Sequence, residues 1–454
     1  MESDTKLNQQ NPFLDGTHDP SLISWLDSAN GHPFFSIHNL PFGVFKDSDG
    51  IRRCGVAIGD YVINLHKLWA DRPFTGKAGE GLEALNDTSL NRFMSLGREV
   101  SKAFRQSLSK ALTSGSKWES SIRKTLMPMS EVSLCLPCHI DDYTDFYTSI
   151  HHATSVGKLF RPDNPLLPNY QWLPIGYHGR ASSIHPSGTQ VYRPVGQCLN
   201  PTTQTPELTA TAKLDYEVEL GIFVGRPTPA FEAVAIEQAE QHFFGVCMLN
   251  DWSARDIQAW EYQPLGPFLS KNFMSSISPW VVTAEALAPF RLPPTRYANR
   301  PKVPSLESYE NSVFGGFDIQ MTCHLRTAQM RKNGIPAKKL SQTSFKHAFW
   351  TINQMLSHHT QTGCNLNSGD LLGSGTQSGP NAAEAGSLLE ITRGGQDSIA
   401  LPGNEFRGFL EDGDEIELSG FCESENGLRI GLGSVVGRIA PAFSSPHLSK
   451  QAGE

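Results

Sequence analysis

No stretch of the 454 residues holds the roughly 20 consecutive apolar side chains that a helix needs to cross a bilayer, so no helical anchor is expected. Runs of lysine or arginine are also missing: 46 acidic residues against 38 basic ones leave a net charge of -8 spread along the chain. A surface of that sign repels a phosphate backbone, and nucleic acid is not an expected partner. Residues 1–33 are polar and lack the charged-then-apolar order of an export signal, while the final Lys450-Gln-Ala-Gly-Glu454 matches no retention or lipidation address. The expectation is a soluble cytoplasmic protein. Cysteine is sparse, eight in all, and without an export signal reduced thiols are the default. Cys135 and Cys138 form a CxxC that His139 extends to a haem-attachment pattern. No second CxxC and no βαβ context accompany it, so it is read as neither redox nor haem site.

What is present divides in two, since the chain exceeds the length at which one apolar core usually stops growing. From Phe34 to Leu65, short β-type runs alternate with turn residues: Asp47-Ser48-Asp49-Gly50, then Gly59-Asp60 before Tyr61-Val62-Ile63. This pattern predicts a small β-barrel. Leu82 to Leu112 carries Leu85, Leu90, Phe93, Met94, Val100, Phe104 and Leu108 at helical spacing. Beyond about Ser130, Gly and Pro recur every few residues and β-rich runs dominate, with helices expected only in places such as 233–244 and 345–358. Pro293, Pro294, Pro301 and Pro304 mark an irregular surface excursion from about Pro289. No internal repeat is visible. The expected divisions are a poorly ordered extension (1–33), a small domain with helices (34–135), a larger β-rich domain (136–446) and a tail (447–454).

Chemistry concentrates in few segments. In Leu214-Asp-Tyr-Glu-Val-Glu-Leu220 alternation puts Asp215, Glu217 and Glu219 on one face and the four apolar residues on the other. Such a face is either the solvated side of an amphipathic strand or a seat for a hard cation that relieves the repulsion. An apolar run from Phe243 ends at Asp251, read as the cap of a helix on which Arg255, Gln258 and Tyr262 share a face. Asp142 to His152 mixes acids, phenols and imidazoles, and histidine suits proton abstraction near neutral pH. Lys271 follows an apolar turn, Glu390 sits in the strand-like run Leu388 to Thr392, and Thr376 lies in a Gly-Ser-rich loop.

The segments Asp142-Tyr-Thr-Asp-Phe-Tyr147, Gly176-Tyr-His-Gly-Arg-Ala-Ser-Ser183, Asn250-Asp-Trp-Ser-Ala-Arg-Asp-Ile257, Pro264-Leu-Gly-Pro-Phe-Leu269 and Leu371 to Gly375 resemble the eukaryotic fumarylacetoacetase family. The resemblance runs from about Asn39 to Ala442. It implies a mainly β fold with some α: an SH3-like N-terminal barrel followed by a mixed β-sandwich roll, usually paired as a homodimer. It further implies hydrolysis of a β-diketone acid at the last step of tyrosine and phenylalanine catabolism. By the same resemblance Asp145, Glu217, Glu219 and Asp251 would bind calcium or magnesium. A second magnesium would sit near Asp251, Lys271 and Ser275, where the family pattern has Thr. His152 would be the base, oriented by Glu390, with Arg255, Gln258 and Lys271 stabilising negative charge. Substrate contacts would be Tyr147, Arg161, Tyr177, Gln258, Tyr262 and Thr376.

Related carboxylate sites also serve acylpyruvate hydrolysis and the decarboxylation or lysis of 2-oxoacids. A metal-dependent acylpyruvase, decarboxylase or lyase is therefore the alternative activity, and a non-catalytic scaffold is the alternative outside enzymes.

Overall fold

A computed structural model describes residues 11–297 and 300–443; the C-terminal tail expected from 447 lies outside them. The chain is rich in sheet with interspersed helices. In the N-terminal part five strands pair in the order Leu126–Pro128, Tyr61–Asn64, Arg52–Ile58, Phe42–Lys46, Ser133–Cys135. The turns are those the sequence announces. Asp47 Oδ1 accepts the Asp49 and Ile51 amides, and Gly50 and Gly59 take the positive φ that their hairpins require.

The helical spacing over 82–112 resolves into three helices, Gly76–Ala84, Asn91–Ser95 and Arg98–Leu112. Asn86-Asp87-Thr88-Ser89 and Gly97, with φ 79°, break the run, because turn-forming side chains compete for backbone groups there. Val100, Phe104, Leu108 and Leu112 bury one face of the longest helix, and Phe104 meets the rings of Phe42 and Phe93 at 5.8 and 5.7 Å. Each such fully buried side chain contributes about 1.5–3 kcal/mol.

Residues 11–33, expected to be poorly ordered, are held in place. Trp25 Nε1 donates to Ala111 O, Arg123 stacks on the Trp25 ring, and the His18 ring bonds Glu285 O at 2.8 Å. Their polar composition hid Trp25, Leu26 and Ala29, three apolar residues that are buried.

The larger part holds an eight-stranded sheet running through Gly176–His178, Tyr143–Phe146, Leu371–Gly373, Val218–Val224, Phe243–Asp251, Ser275–Ile277 and Ile184–Pro186, with Val282–Thr283 beside Phe243–Asp251. A five-stranded sheet of Lys338–Ser344, Gln320–Arg326, Glu415–Glu423, Arg429–Ala440 and Val191–Tyr192 shares its core. Along the central strands alternate residues serve two interiors. Leu220, Ile222, Val246 and Met248 join Met321, Leu418 and Leu432, whereas Phe223, Cys247 and Leu249 join the N-terminal core around Val44 and Phe93. Covering on both faces explains the unbroken apolar run before Asp251.

Two helical expectations are shortened. Only Ile236–Ala239 is helical within 233–244, since Phe243 already belongs to a strand, and within 345–358 a 3-10 turn precedes the helix Ile352–Thr360. The segment after Pro289 is irregular as expected but partly covered, with Tyr297 bonded to His347 O at 2.6 Å. Among the described residues no helix is long and apolar enough to cross a membrane. All eight cysteines are free, and burial pushes the Cys138 thiol up, leaving it unreactive.

Candidate metal centre and active site

Strand pairing gathers the acids. Asp145 lies opposite Gly373, Glu219 opposite Leu249, and Asp251, at the end of its strand, opposite Ser275. Glu217 occupies the break between Leu214–Asp215 and Val218–Val224. Leu214, Tyr216, Val218 and Leu220 enter the core as alternation requires, but the acidic face is buried rather than solvated. One carboxylate oxygen from each of Asp145, Glu217, Glu219 and Asp251 lies within 4.8 Å of the others. Asp251 is not the expected helix cap: its strand is followed by Ser253–Ala254, and the helix begins at Arg255 behind Ala254. Its carboxylate is instead taken by Lys271 Nζ at 2.6 Å, Ser275 Oγ at 2.8 Å and Tyr177 OH at 3.2 Å.

Charge is unbalanced here. Five buried carboxylates, Asp215 included, face two buried cations, Arg255 and Lys271. Burial and the neighbouring Asp251 push Asp145 up to about 8. Burial, then Asp145, Glu217 and Asp251, hold Glu219 well above the usual carboxylate range. Burial also raises Glu217, but Lys271, Arg255 and His152 outweigh it and hold that carboxyl well below. Glu219 Oε1 is buried with no hydrogen-bond partner among the described residues. An all-oxygen set with surplus negative charge and an unpartnered oxygen fits a hard divalent cation. Gly375, at φ 71°, donates its amide to Asp145 and Glu219, fixing two of these acids.

Beside the acids stands an imidazole. Ser149 caps the helix Ile150–Phe160 and accepts the His152 amide. His152 Nδ1 meets Glu390 Oε2 at 2.7 Å, with both side chains 5% exposed. Glu390 lies on a one-turn helix, Leu388–Ile391, not on the expected strand, because Ser387 caps its amide. Burial raises the Glu390 carboxyl, but His152, Ser378 and Ser387 pull it below its ordinary value. His151 faces elsewhere, toward Tyr297 and His347.

Residues 38–137 match the family model for fumarylacetoacetase, N-terminal, and residues 143–440 the one for fumarylacetoacetate (FAA) hydrolase, C-terminal. The chain is 45% identical over 424 residues to a fumarylacetoacetase of Caenorhabditis elegans, covering 90% of this chain and 97% of that one. It is 44% identical to that of Dictyostelium discoideum, with 93% and 99% covered, and 42% identical to that of Homo sapiens, with 90% and 97% covered. The chain belongs to the fumarylacetoacetase family.

The residues that fumarylacetoacetase resemblance nominated are unequally engaged. The Tyr147 ring packs edge-on to His152 at 5.5 Å. Burial raises the Tyr147 phenol, as do Glu390 and Glu217. Gln258 Oε1 accepts from Arg255 Nη1 at 3.2 Å, which frees its amide hydrogens as donors. Thr376 Oγ1 is buried without a hydrogen-bond partner among the described residues. Lys271 Nζ bonds both Glu217 and Asp251. Burial works against its ammonium, but those carboxylates more than offset it. A protonated ammonium has no lone pair, so its Nζ acts as counter-ion and not as ligand. Arg161 is exposed, and neither it nor the Tyr262 phenol joins the hydrogen-bonded cluster among the described residues. Ser378 and Ser387, which both bond Glu390, and the Gly375 amide carry no chemical signal of their own in the sequence. The spacing of Ser387 three residues before Glu390 is a cap signature that could have found one of them.

Proposed function

We propose that this chain hydrolyses the carbon–carbon bond of fumarylacetoacetate, giving fumarate and acetoacetate. The observation that carries the reading is the buried His152–Glu390 pair set beside four convergent carboxylates. Asp145, Glu217, Glu219 and Asp251 would hold calcium or magnesium. When bound, the cation supplies Lewis acidity toward the diketone oxygens and balances the surplus charge. Glu390 holds the Nδ1 proton of His152, which leaves Nε2 to take a proton from water as its oxygen bonds to the carbonyl carbon. Proton transfer of this kind contributes roughly 10² to 10⁴ in rate. Arg255, Gln258 and Lys271 offer donors to the oxygen that becomes negative, each worth on the order of 3 kcal/mol. When the carbon–carbon bond breaks, its electron pair leaves on the acetoacetate carbon as an enolate, and His152 returns the proton there. Tyr147, Tyr177, Thr376, Arg161 and Tyr262 would orient the substrate, the last two on its arrival.

The same reading takes the N-terminal five-stranded sheet as the small SH3-like barrel and the two larger sheets as a sandwich roll. It also makes the enzyme a cytoplasmic homodimer acting at the last step of tyrosine and phenylalanine catabolism. A second magnesium would draw on the oxygens of Asp251 and Ser275, with any share from Lys271 through its main-chain carbonyl.

The test is loss of absorbance of fumarylacetoacetate, and of oxaloacetate as control, with and without chelator. Metal-dependent loss of the first alone is expected. His152→Ala should abolish turnover while calcium still raises the melting temperature; substantial residual hydrolysis removes His152 as the base.

A further inference from the structure

The structure assigns Asp215 as a positioning residue that couples the Arg255 guanidinium to the helical turn carrying Glu390. This inference rests on the proposed roles of Arg255 and Glu390, but its geometry does not.

Asp215 stands outside the four convergent acids, and its carboxylate is fully buried. Both oxygens are spent. Oδ2 accepts Arg255 Nε at 2.9 Å and the Leu389 amide at 3.0 Å, while Oδ1 accepts the amides of Leu388 and Tyr216, each at 2.8 Å. Leu388 and Leu389 open the one-turn helix Leu388–Ile391, and the next amide, that of Glu390, goes to Ser387. In a helix this short the first amides to bond back into the turn are those of Ile391 and Thr392, to Ser387 O and Leu388 O, so the groups that accept the amides before them help set where Glu390 points. Glu390 Oε2 in turn meets His152 Nδ1 at 2.7 Å.

The other arm is the guanidinium. Its Nε and its Nη2 both lie 2.9 Å from Asp215 Oδ2, and its Nη1 donates to Glu217 Oε1 at 2.6 Å and to Gln258 Oε1 at 3.2 Å. Carboxylates on two sides fix the plane and direction of the guanidinium, the preorganisation by which a cation stabilises developing negative charge beside it. One carboxylate thus sets both the donor on the oxyanion side and, through the turn, the partner of the base. A carboxylate is needed because it offers acceptors on both oxygens; asparagine offers one.

The experiment compares Asp215→Asn with the full-length protein by three readouts. These are steady-state hydrolysis, the calcium-induced rise in melting temperature, and the ¹⁵N shifts of the His152 ring, assigned by subtraction of the His152→Ala spectrum. Expected are a fall in kcat of roughly tenfold to a hundredfold, below that of deleting an oxyanion donor outright, and a KM changed less than about threefold. The calcium response should persist and the His152 ring shifts should move. The ring shifts need no substrate, so they test the coupling even if the protein proves to hydrolyse something else. Unmoved His152 shifts overturn the proposal whatever the activity does, as does a kcat loss matched by a proportional loss of calcium response, which marks mere unfolding. Should Asp215→Asn not accumulate, Asp215→Glu, which keeps the charge but displaces it by one methylene, is read by the same criteria.

Discussion

Replacing Glu390 with glutamine removes one charge and almost no volume from a position where three donors converge: His152 Nδ1 at 2.7 Å, Ser378 Oγ at 2.9 Å and Ser387 Oγ at 3.0 Å. Hydrogen bonds to charged groups contribute about 1.5–3 kcal/mol and neutral ones about 0.5–1.5 kcal/mol, so the lost charge assistance is about 1–1.5 kcal/mol. If that difference appears wholly in the basicity of the imidazole, kcat falls about fivefold to tenfold. If instead the new amide nitrogen turns toward Nδ1, it imposes the wrong tautomer, Nε2 holds the proton, and the loss approaches roughly 10⁴-fold. Both outcomes act through one proton acceptor. Glu390→Gln in a His152→Ala background should therefore add little, and rates for the four proteins are read from the loss of substrate absorbance. Stability supplies an independent sign. The folded pKa of Glu390 lies below its ordinary 4.5, so its contribution is complete above that value and is lost as pH falls through the folded pKa. The stability gap between wild type and variant should be level from neutral pH down to about 5 and close on further acidification. A kcat within about twofold of wild type, or losses that multiply in the double variant, would refute the His152–Glu390 unit.

Glu219→Gln should change sign with calcium. In chelator it removes a buried charge crowded by like charges, so the melting temperature holds or rises, increasingly so at higher pH because the folded pKa of Glu219 is raised. With calcium it removes a ligand: a hundredfold loss of affinity cuts the stabilisation at a hundredfold excess over Kd from about 2.7 to about 0.4 kcal/mol. An unchanged calcium-induced shift would take Glu219 out of the metal set. Gly375→Ala places a Cβ 2.2 Å from Phe146 O on a backbone with φ 71°, which should cost about 2–4 kcal/mol. Since the Gly375 amide also holds Asp145 and Glu219, the calcium shift should shrink with it. A wild-type melting curve would show that the turn can relax without cost.

Much of the site could be read before any coordinates because its strands obey alternation. Leu214, Tyr216, Val218 and Leu220 all enter the core, which fixes the opposite direction for Asp215, Glu217 and Glu219. What alternation cannot say is whether that opposite face meets water. Here the answer depends on Tyr143–Phe146 and Leu371–Gly373, neighbours supplied from far along the chain, and burial follows from their packing rather than from the acids themselves. The resemblance to a known family supplied the pairing of these segments; local spacing would not have done so.

The local errors have one physical form. Asp251 has the short-range signature of a cap and Glu390 that of a strand residue, and in both cases a partner distant in sequence prevails. Asp251 gains two charge-assisted or hydroxyl bonds, from Lys271 and Ser275, where a cap would give it a neutral amide. The Leu388 to Ile391 segment has the apolar look of a strand, yet its first two amides find a buried carboxylate, Asp215, already charged and oriented by Arg255. An ionised acceptor held in place outcompetes the neutral carbonyl of a neighbouring strand. The turn winds accordingly and carries Glu390 to His152. The geometry of the base is therefore decided 173 residues away from the helix that bears its partner, on the strand that also feeds the acidic cluster.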